Sequence, residues 1–240
     1  MTSATPRIGF DRFINLNWLI TALRVRSGSV GVDQLGELLD QAALGVAAKK
    51  KTRTVLNRLW LEPRPELAAF ADRGIEIFKE NPDAYAGTLS WGMAIVAYPF
   101  FGQVAELVGR LSSLQGDCTS AEIHRRMSEV YGEREGTYRM TNMVLQSQAN
   151  WGAIRRMDHG KRLVRCEILK VTEDRLAEWL VEAVLRSINK PLSVTLIRSM
   201  PVIFPIVLPQ ALAFIASRSA YLELRAEGPG SQLVALRSAF

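Results

Sequence analysis

Residues 119–170, in the middle of the chain, have the sequence TSAEIHRRMSEVYGEREGTYRMTNMVLQSQANWGAIRRMDHGKRLVRCEILK. Its first residues predict a capping box. In this motif the Thr119 hydroxyl accepts a hydrogen bond from an unpaired backbone amide of the first helical turn, and the Glu122 carboxylate accepts one from the Thr119 amide. Gly132 ends this first helix, and Gly136–Asn150 has the composition of a second helix. From residue 153 onward the apolar residues follow a strand-like spacing around a glycine-containing turn, which predicts a β-hairpin.

Another predicted helix, Gln103–Leu114, precedes this stretch. The order of a helix, a helix-turn-helix and a hairpin predicts a winged helix-turn-helix. The third helix of this fold, here Gly136–Asn150, lies in the major groove of DNA. We expect the core face of that helix to carry Tyr138, Thr141, Val144 and Leu145. We expect its DNA face to carry Thr137, Arg139, Asn142 and Gln146, whose side chains hydrogen-bond to base edges or phosphate.

Basic residues surround the predicted reading helix, where they would neutralise phosphates without reading sequence. In the hairpin they are Arg155, Arg156, His159, Lys161, Arg162 and Arg165, and Arg125, Arg126 and Arg134 flank the turn between the helices. An N-terminal patch with Lys50, Lys51 and Arg53 is either a second DNA contact or a solvated helix end.

The overall charge agrees with a polyanionic partner. The 240 residues carry a net charge of +6, with a pI of about 9.6. The positive excess is segregated: residues 1–71 and 119–171 each have a net charge of +4, whereas residues 72–118 between them have −3. Nucleic acid is the first class of partner that such a distribution favours, and an anionic membrane surface is the second.

The remaining segments predict a mainly α protein with three parts: an N-terminal helical domain over 1–102, the winged helix over 103–171 and a C-terminal unit over 172–240. Predicted helices outside the centre include Val32–Lys49, Asp83–Phe101, Leu192–Met200 and Ile206–Ser217. A second hairpin is predicted from Ala220–Arg225 and Gln232–Arg237 around Glu227-Gly228-Pro229-Gly230. The C-terminal unit is either a second winged helix or a packing and self-association surface.

Several classes of function lack their motifs. The sequence contains no phosphate-binding glycine loop, no nucleophile elbow and no zinc-protease motif, so we expect a non-enzymatic protein without cofactor, metal or small-molecule substrate. A nuclease using acid pairs such as Glu133 and Glu135 is the less favoured alternative. Cys118 and Cys166 fit core thiols in a reducing compartment, and the N-terminus lacks an apolar signal core, which together predict a cytoplasmic protein.

Two uncharged stretches, Ala84–Ala105 and Ser199–Ser217, approach the length of a membrane span. Both contain proline and polar residues and neither is rich in leucine, isoleucine and valine. We therefore expect them to be buried core, with membrane insertion as the less favoured alternative.

A resemblance rests on short runs spread over roughly residues 50–185. They are Lys51-Thr52-Arg53-Thr54, Arg58-Leu59-Trp60, Trp91-Gly92-Met93, Tyr98-Pro99-Phe100-Phe101, Val108-Gly109-Arg110-Leu111, Arg125-Arg126, Tyr131-Gly132 and Trp151-Gly152. In these runs the chain resembles helical proteins of bacterial phage-defence islands, such as the BrxA family of BREX systems. The resemblance implies a double-stranded-DNA-binding accessory factor that acts beside a methyltransferase and an ATPase. The alternative is a structural subunit of a larger defence complex, contacting other defence proteins.

Overall fold

Helices form most of the backbone in the computed structural model, which describes residues 8–166, 169–226, 228 and 232–237. The helices in these residues are α1 (Leu16–Arg26), α2 (Val32–Gln41), α3 (Val46–Leu56), α4 (Pro65–Glu80), α5 (Pro82–Ala97), α6 (Pro99–Gln115), α7 (Ser120–Tyr131), α8 (Glu135–Asn150), α9 (Asp174–Ile188), α10 (Val194–Arg198) and α11 (Leu212–Arg218). The strands are β1 (Asp117–Thr119), β2 (Ile154–Met157), β3 (Arg162–Arg165), β4 (Leu169–Lys170), β5 (Leu192–Ser193), β6 (Ile206–Val207), β7 (Leu222–Ala226) and β8 (Gln232–Leu236). The prediction of a mainly α protein is confirmed.

The predicted helix Val32–Lys49 is wrong in extent, because the chain breaks between α2 and α3. Ala43 lies there in the left-handed region with φ of 51°, and Gly45 is the N-cap of α3. Beyond α3 the chain continues as a π-helical turn over Asn57–Leu61.

The predicted helix Asp83–Phe101 is also two helices, since α5 and α6 meet at a bend of 115°. Pro99 has no amide hydrogen to donate, and a proline disfavours helical backbone at the residue before it. Tyr98 accordingly has φ of −134° and ψ of 91°. Within the described residues no single helix is long and apolar enough to cross a membrane. The bent pair α5 and α6 reaches the required length and apolar composition only when the two helices are taken together.

One hydrophobic core extends through the N-terminal, central and C-terminal parts of the chain. Trp179 on α9 stacks on Phe70 of α4 with ring centroids 4.2 Å apart, and its indole nitrogen donates to the Phe70 carbonyl at 2.9 Å. A Cβ added at Gly92 would lie 2.3 Å from the Trp179 ring, so the glycine permits the close approach of α5. The predicted three-part division stays a prediction.

The central segment follows the order α6, β1, α7, α8, β2, β3. Its three strands form an antiparallel sheet in the order β1-β3-β2, with Met157 opposite Arg162 at the closed end of the hairpin. The predicted hairpin is confirmed for β2 and β3. The apolar pattern extended its second strand to Ile168 and Leu169, but Leu169 lies in β4, which pairs with β6, and Ile168 lies outside the described residues. Thr119 caps α7 by accepting from the Glu122 amide at 3.2 Å, whereas the Glu122 carboxylate pairs with Arg126.

The C-terminal segment has the order α9, β5, α10, α11, β7, β8 and a sheet in the order β5-β8-β7. The second predicted hairpin is confirmed in β7 and β8, and its turn residues Glu227, Pro229 and Gly230 lie outside the described residues. The two predicted helices before it begin later than expected. Leu192–Ser193 pairs with β8 ahead of α10, and Ile206–Val207 pairs in parallel with Leu169–Lys170 ahead of α11.

Both uncharged stretches contribute heavily to the core, as expected. The segment after α10 lies against α5 and α6, where the Trp91 indole donates to the Val202 carbonyl at 2.9 Å. A Cβ at Gly109 would come within 2.1 Å of the Pro201 carbonyl oxygen, so backbone meets backbone at this point.

Candidate nucleic-acid interface

The two faces of α8 differ from the expected ones by one position. Thr137 is fully buried, whereas Tyr138 is 59% exposed, so the predictions for these two residues are wrong. The buried face comprises Thr137, Met140, Thr141, Val144, Leu145, Ser147 and Gln148. The opposite face carries Tyr138, Arg139, Asn142 and Gln146, of which the last two are half-buried.

The threonines tolerate burial because their hydroxyls bond within the backbone. Thr141 Oγ1 donates to the Thr137 carbonyl at 2.8 Å, and Thr137 Oγ1 lies 3.5 Å from the Tyr131 carbonyl oxygen. A hydroxyl satisfied in this way buries its methyl group at little cost. Pairing Thr137 with Thr141 at a spacing of four would have indicated the correct face from sequence.

The hairpin separates its arginines onto two faces, because successive strand residues point to opposite sides of a sheet. Ile154, Arg156, Leu163 and Arg165 share the inner face with buried Cys118, as their cross-strand pairing shows. Arg155 and Arg162 lie on the outer face, where both side chains are exposed. The prediction had treated these arginines as one set.

Arg165 is bound within the protein and is removed from the candidate surface. Its Nε donates to Ser112 Oγ at 2.6 Å, its Nη2 donates to the Gly109 carbonyl, and its guanidinium lies 5.3 Å from the Phe204 ring centroid. Burial lowers the pKa of Arg165. These contacts join the hairpin to α6 and to the segment after α10, which is a structural role.

Arg156 also points inward, but toward α8. Its Nη2 donates to Asn142 Oδ1 at 2.8 Å, and a Cβ at Gly160 would lie 2.7 Å from the same nitrogen. Burial lowers the pKa of Arg156. The bond connects the exposed face of α8 to the hairpin at Asn142.

Acidic neighbours offset the basic residues around the turn between α7 and α8. Arg125 pairs with Glu129 at 2.6 Å, and Arg126 pairs with Glu122 at 3.7 Å. An open cleft of about 630 Å³ lies at this turn, lined by His124, Arg125, Ser128, Glu129, Glu133, Arg134, Glu135 and Tyr138. With three glutamates against two arginines, the cleft is poorly suited to phosphate, and Arg125, Arg126 and Arg134 contribute less than the sequence suggested.

The tip of the hairpin is exposed and carries both acidic and basic side chains, Asp158 beside His159 and Lys161. Asp158, His159 and Gly160 all have positive φ, which bends the chain sharply between β2 and β3. His159 and Lys161 are exposed there. Arg162 pairs with Asp117 at 2.7 Å, so its charge is partly compensated by β1.

The predicted N-terminal patch lies on a different element. Lys50, Lys51 and Arg53 are exposed on α3, which packs against α1 and the π-helical turn. Lys51 pairs with Asp11 at 3.4 Å. Whether this patch contacts DNA stays a prediction.

The sequence did not identify Tyr138 or His124 as part of this surface. Their rings stack with centroids 3.9 Å apart, and His124 is 8% exposed with its Nδ1 buried and unpartnered within the described residues. Burial is the main cause that lowers the pKa of His124, and the charge of Arg156 adds to it. The i, i+14 separation of the two residues gave no local sequence signal for the stack.

The candidate residues therefore lie on two parts of the molecule, the exposed face of α8 and the outer face and tip of the hairpin, which together we call the candidate surface. Residues 134–166 contain seven lysines and arginines against two acids, a net charge of +5. Arg139, Arg155 and Lys161 have no acidic partner in the part of the chain that the structure describes. We define these three residues as the basic triplet.

The described part of the chain has no metal-ligand cluster, and its Cys118 thiol is not activated as a nucleophile. There, no three His, Cys, Asp or Glu side chains lie close enough to hold a metal ion. Cys118 is buried, and burial raises the pKa of its thiol to about 11, which disfavours a nucleophilic thiolate. The expectations of no enzyme activity and no cofactor stay predictions.

Comparison of the chain with protein-family models, with curated proteins and with solved structures gives no match.

Proposed function

We propose that the chain binds double-stranded DNA through a winged helix-turn-helix formed by residues 103–171. The observation that carries the proposal is the combination of strand order and charge. The segment has a helix, a strand, two helices and a hairpin, with β1 beside β3. This order supports the proposal, because a winged helix has the same order of elements. The basic triplet lies on the third helix and the hairpin of this arrangement.

Each part of the surface has a role in this proposal. Arg139 and Asn142 on α8 contact base edges, while Arg155 and Lys161 neutralise phosphates beside the groove. Exposed Tyr138 contributes an aromatic ring and a hydroxyl to the same helix face. Arg165 and Thr137 hold the fold and contact no DNA.

The test is duplex binding measured by fluorescence anisotropy over a range of salt concentrations. Wild-type affinity should fall steeply with salt, because each neutralised phosphate releases counterions. Replacing the basic triplet with alanine should weaken binding at least about 100-fold at moderate salt. No binding of any duplex at low salt would refute the proposal.

A control variant removes the same charge elsewhere. Lys79, Arg110 and Arg175 are exposed and pair with Glu76, Glu106 and Glu80. Their triple alanine variant should keep most of the wild-type affinity. Equal losses in both triple variants would mean that net charge, and not this surface, drives binding.

The second candidate is a structural subunit that contacts other proteins of a larger complex. The uncharged Ser199–Ser217 stretch that suggested it is largely buried within the chain. Exposed Phe214 and Leu196, at 55% and 46%, are the observations that still favour it. A monomer by sedimentation, unchanged by Phe214→Ser, would count against self-association. The phage-defence role rests on the sequence resemblance.

A further inference from the structure

Among the basic residues of the hairpin, Arg156 is the one whose partly buried side chain contacts α8. Strand alternation places it on the inner face of the sheet, opposite buried Leu163. Its Nη2 donates to Asn142, and Gly160 leaves room for the guanidinium where a side chain would collide. Its Nε is buried with no partner among the described residues. A guanidinium held in this way is poorly placed to neutralise a phosphate.

The bond from Arg156 also fixes the orientation of the Asn142 amide. A guanidinium has only donors, so the atom of Asn142 that it contacts must be the oxygen Oδ1. The amide nitrogen of Asn142 has no hydrogen-bond partner among the described residues and is not fully buried. Asn142 is half-buried and lies one turn after exposed Arg139 on the same face of α8.

We propose that Arg156 is a positioning residue that presents the Asn142 amide as a hydrogen-bond donor, so that α8 prefers guanine in the major groove. Guanine offers two acceptors there, N7 and O6, and Arg139 and Asn142 both supply donors. An asparagine that recognises adenine uses its oxygen to accept from the N6 amino group, and Arg156 already uses one of the two lone pairs of that oxygen and fixes its direction. This inference rests on the proposed DNA binding and adds its base preference.

The test compares duplexes that contain guanine with otherwise identical duplexes that contain 7-deazaguanine, which lacks the N7 acceptor. Wild type should bind the guanine duplex about 10-fold more tightly, within the range expected for a lost base contact. Arg156→Leu should lower this ratio to the part that Arg139 alone supplies, while leaving the salt dependence of binding unchanged. Arg155→Leu is the matched control, which should lower the salt slope by about one and keep the ratio.

A second variant keeps the test valid if Arg156→Leu disturbs the hairpin. Asn142→Asp retains an acceptor for Arg156 but has no donor, so it should lower the guanine preference as much as Arg156→Leu does, with the fold intact. A ratio of one in wild type, or a salt slope reduced by about one in Arg156→Leu, would overturn the inference and leave DNA binding standing. Failure of wild type to bind any duplex would instead overturn the proposed function itself.

Discussion

His124 is a buried residue whose protonation the fold disfavours. Its imidazole is covered by the ring of Tyr138 and lies within the electrostatic influence of Arg156. Burial and that neighbouring charge both lower the pKa of His124 below its usual value of 6.5. The folded chain therefore binds a proton at this residue less readily than the unfolded chain does.

The consequence is a pH-dependent contribution of His124 to stability. Above pH 6.5 both states are mainly neutral at this residue and its contribution is constant. As pH falls below that value, the unfolded state takes up the proton first, so the free energy of unfolding decreases. His124→Phe should make urea-unfolding free energies less dependent on pH between about 5 and 7. An equally steep dependence in the variant would mean that other groups cause it.

At the residue scale the sequence identified the types of side chain better than their directions. Arg139, Arg155 and Lys161 are exposed as expected, because nothing in the fold compensates their desolvation. The exchange of Thr137 with Tyr138 and the inward direction of Arg165 escaped prediction. The first depends on how the helix is rotated about its axis, and the second on which strand residues face inward. An error of one position in the assignment therefore changes which side chains are buried.

Glycines on α5 show how the same residue type serves different purposes within one element. Gly92 faces Trp179, and an added Cβ would lie 2.3 Å from that ring. Gly87, on the same helix, has nothing within 4 Å of an added Cβ. The first glycine is required by packing against α9, whereas the second is not required by any described contact.

This difference predicts opposite effects of the same substitution. Gly92→Ala should lower the free energy of unfolding by about 1–3 kcal/mol, because overpacking must displace Trp179 or α5. Gly87→Ala should raise it by up to about 1 kcal/mol, because alanine favours the helix over glycine. Thermal and urea unfolding of both variants measure the two effects. A stability loss of similar size in Gly87→Ala would show that general helix distortion, not contact with Trp179, is responsible.

At the element scale, helices with clear ends were predictable and breaks inside apolar runs were missed. Thr119 and Gly132 mark the ends of α7 by hydrogen bonding and backbone freedom, which are local properties. The break at Pro99 also had a local signal, the proline itself. The apolar residues on both sides of Pro99 nevertheless favoured a single continuous helix. The parallel pairing of β4 with β6 had no local signal, because its partners lie 37 residues apart in the register Leu169 to Ile206.

The whole molecule is held together by contacts that cross the expected boundaries. Besides Trp179, the Trp151 indole at the end of α8 donates to the Ile14 carbonyl at 2.8 Å. The Ile14 amide in turn donates to Ser147 of α8 at 2.9 Å. The candidate surface is therefore part of a unit whose core includes residues far from it in sequence.

These contacts predict the behaviour of the isolated central segment. A fragment of residues 103–171 would expose Trp151 and lose the cover that Pro201–Ile203 gives to α6. We expect it to lack a cooperative thermal transition, whereas the full chain should unfold in one transition followed alike by circular dichroism and tryptophan fluorescence. A cooperatively folded fragment would show that the central segment is an independent domain.

By itself the sequence determined the helical class, both hairpins and the segregation of positive charge, since caps, turn residues and charge are local properties of the chain. Only the tertiary structure decided which basic residues face solvent, where the apolar helices bend and how α9 enters the core. Those features depend on which surfaces meet, and residues distant in sequence supply the partner for each one. The orientation of Asn142 is an example, because it is set by an arginine on another element.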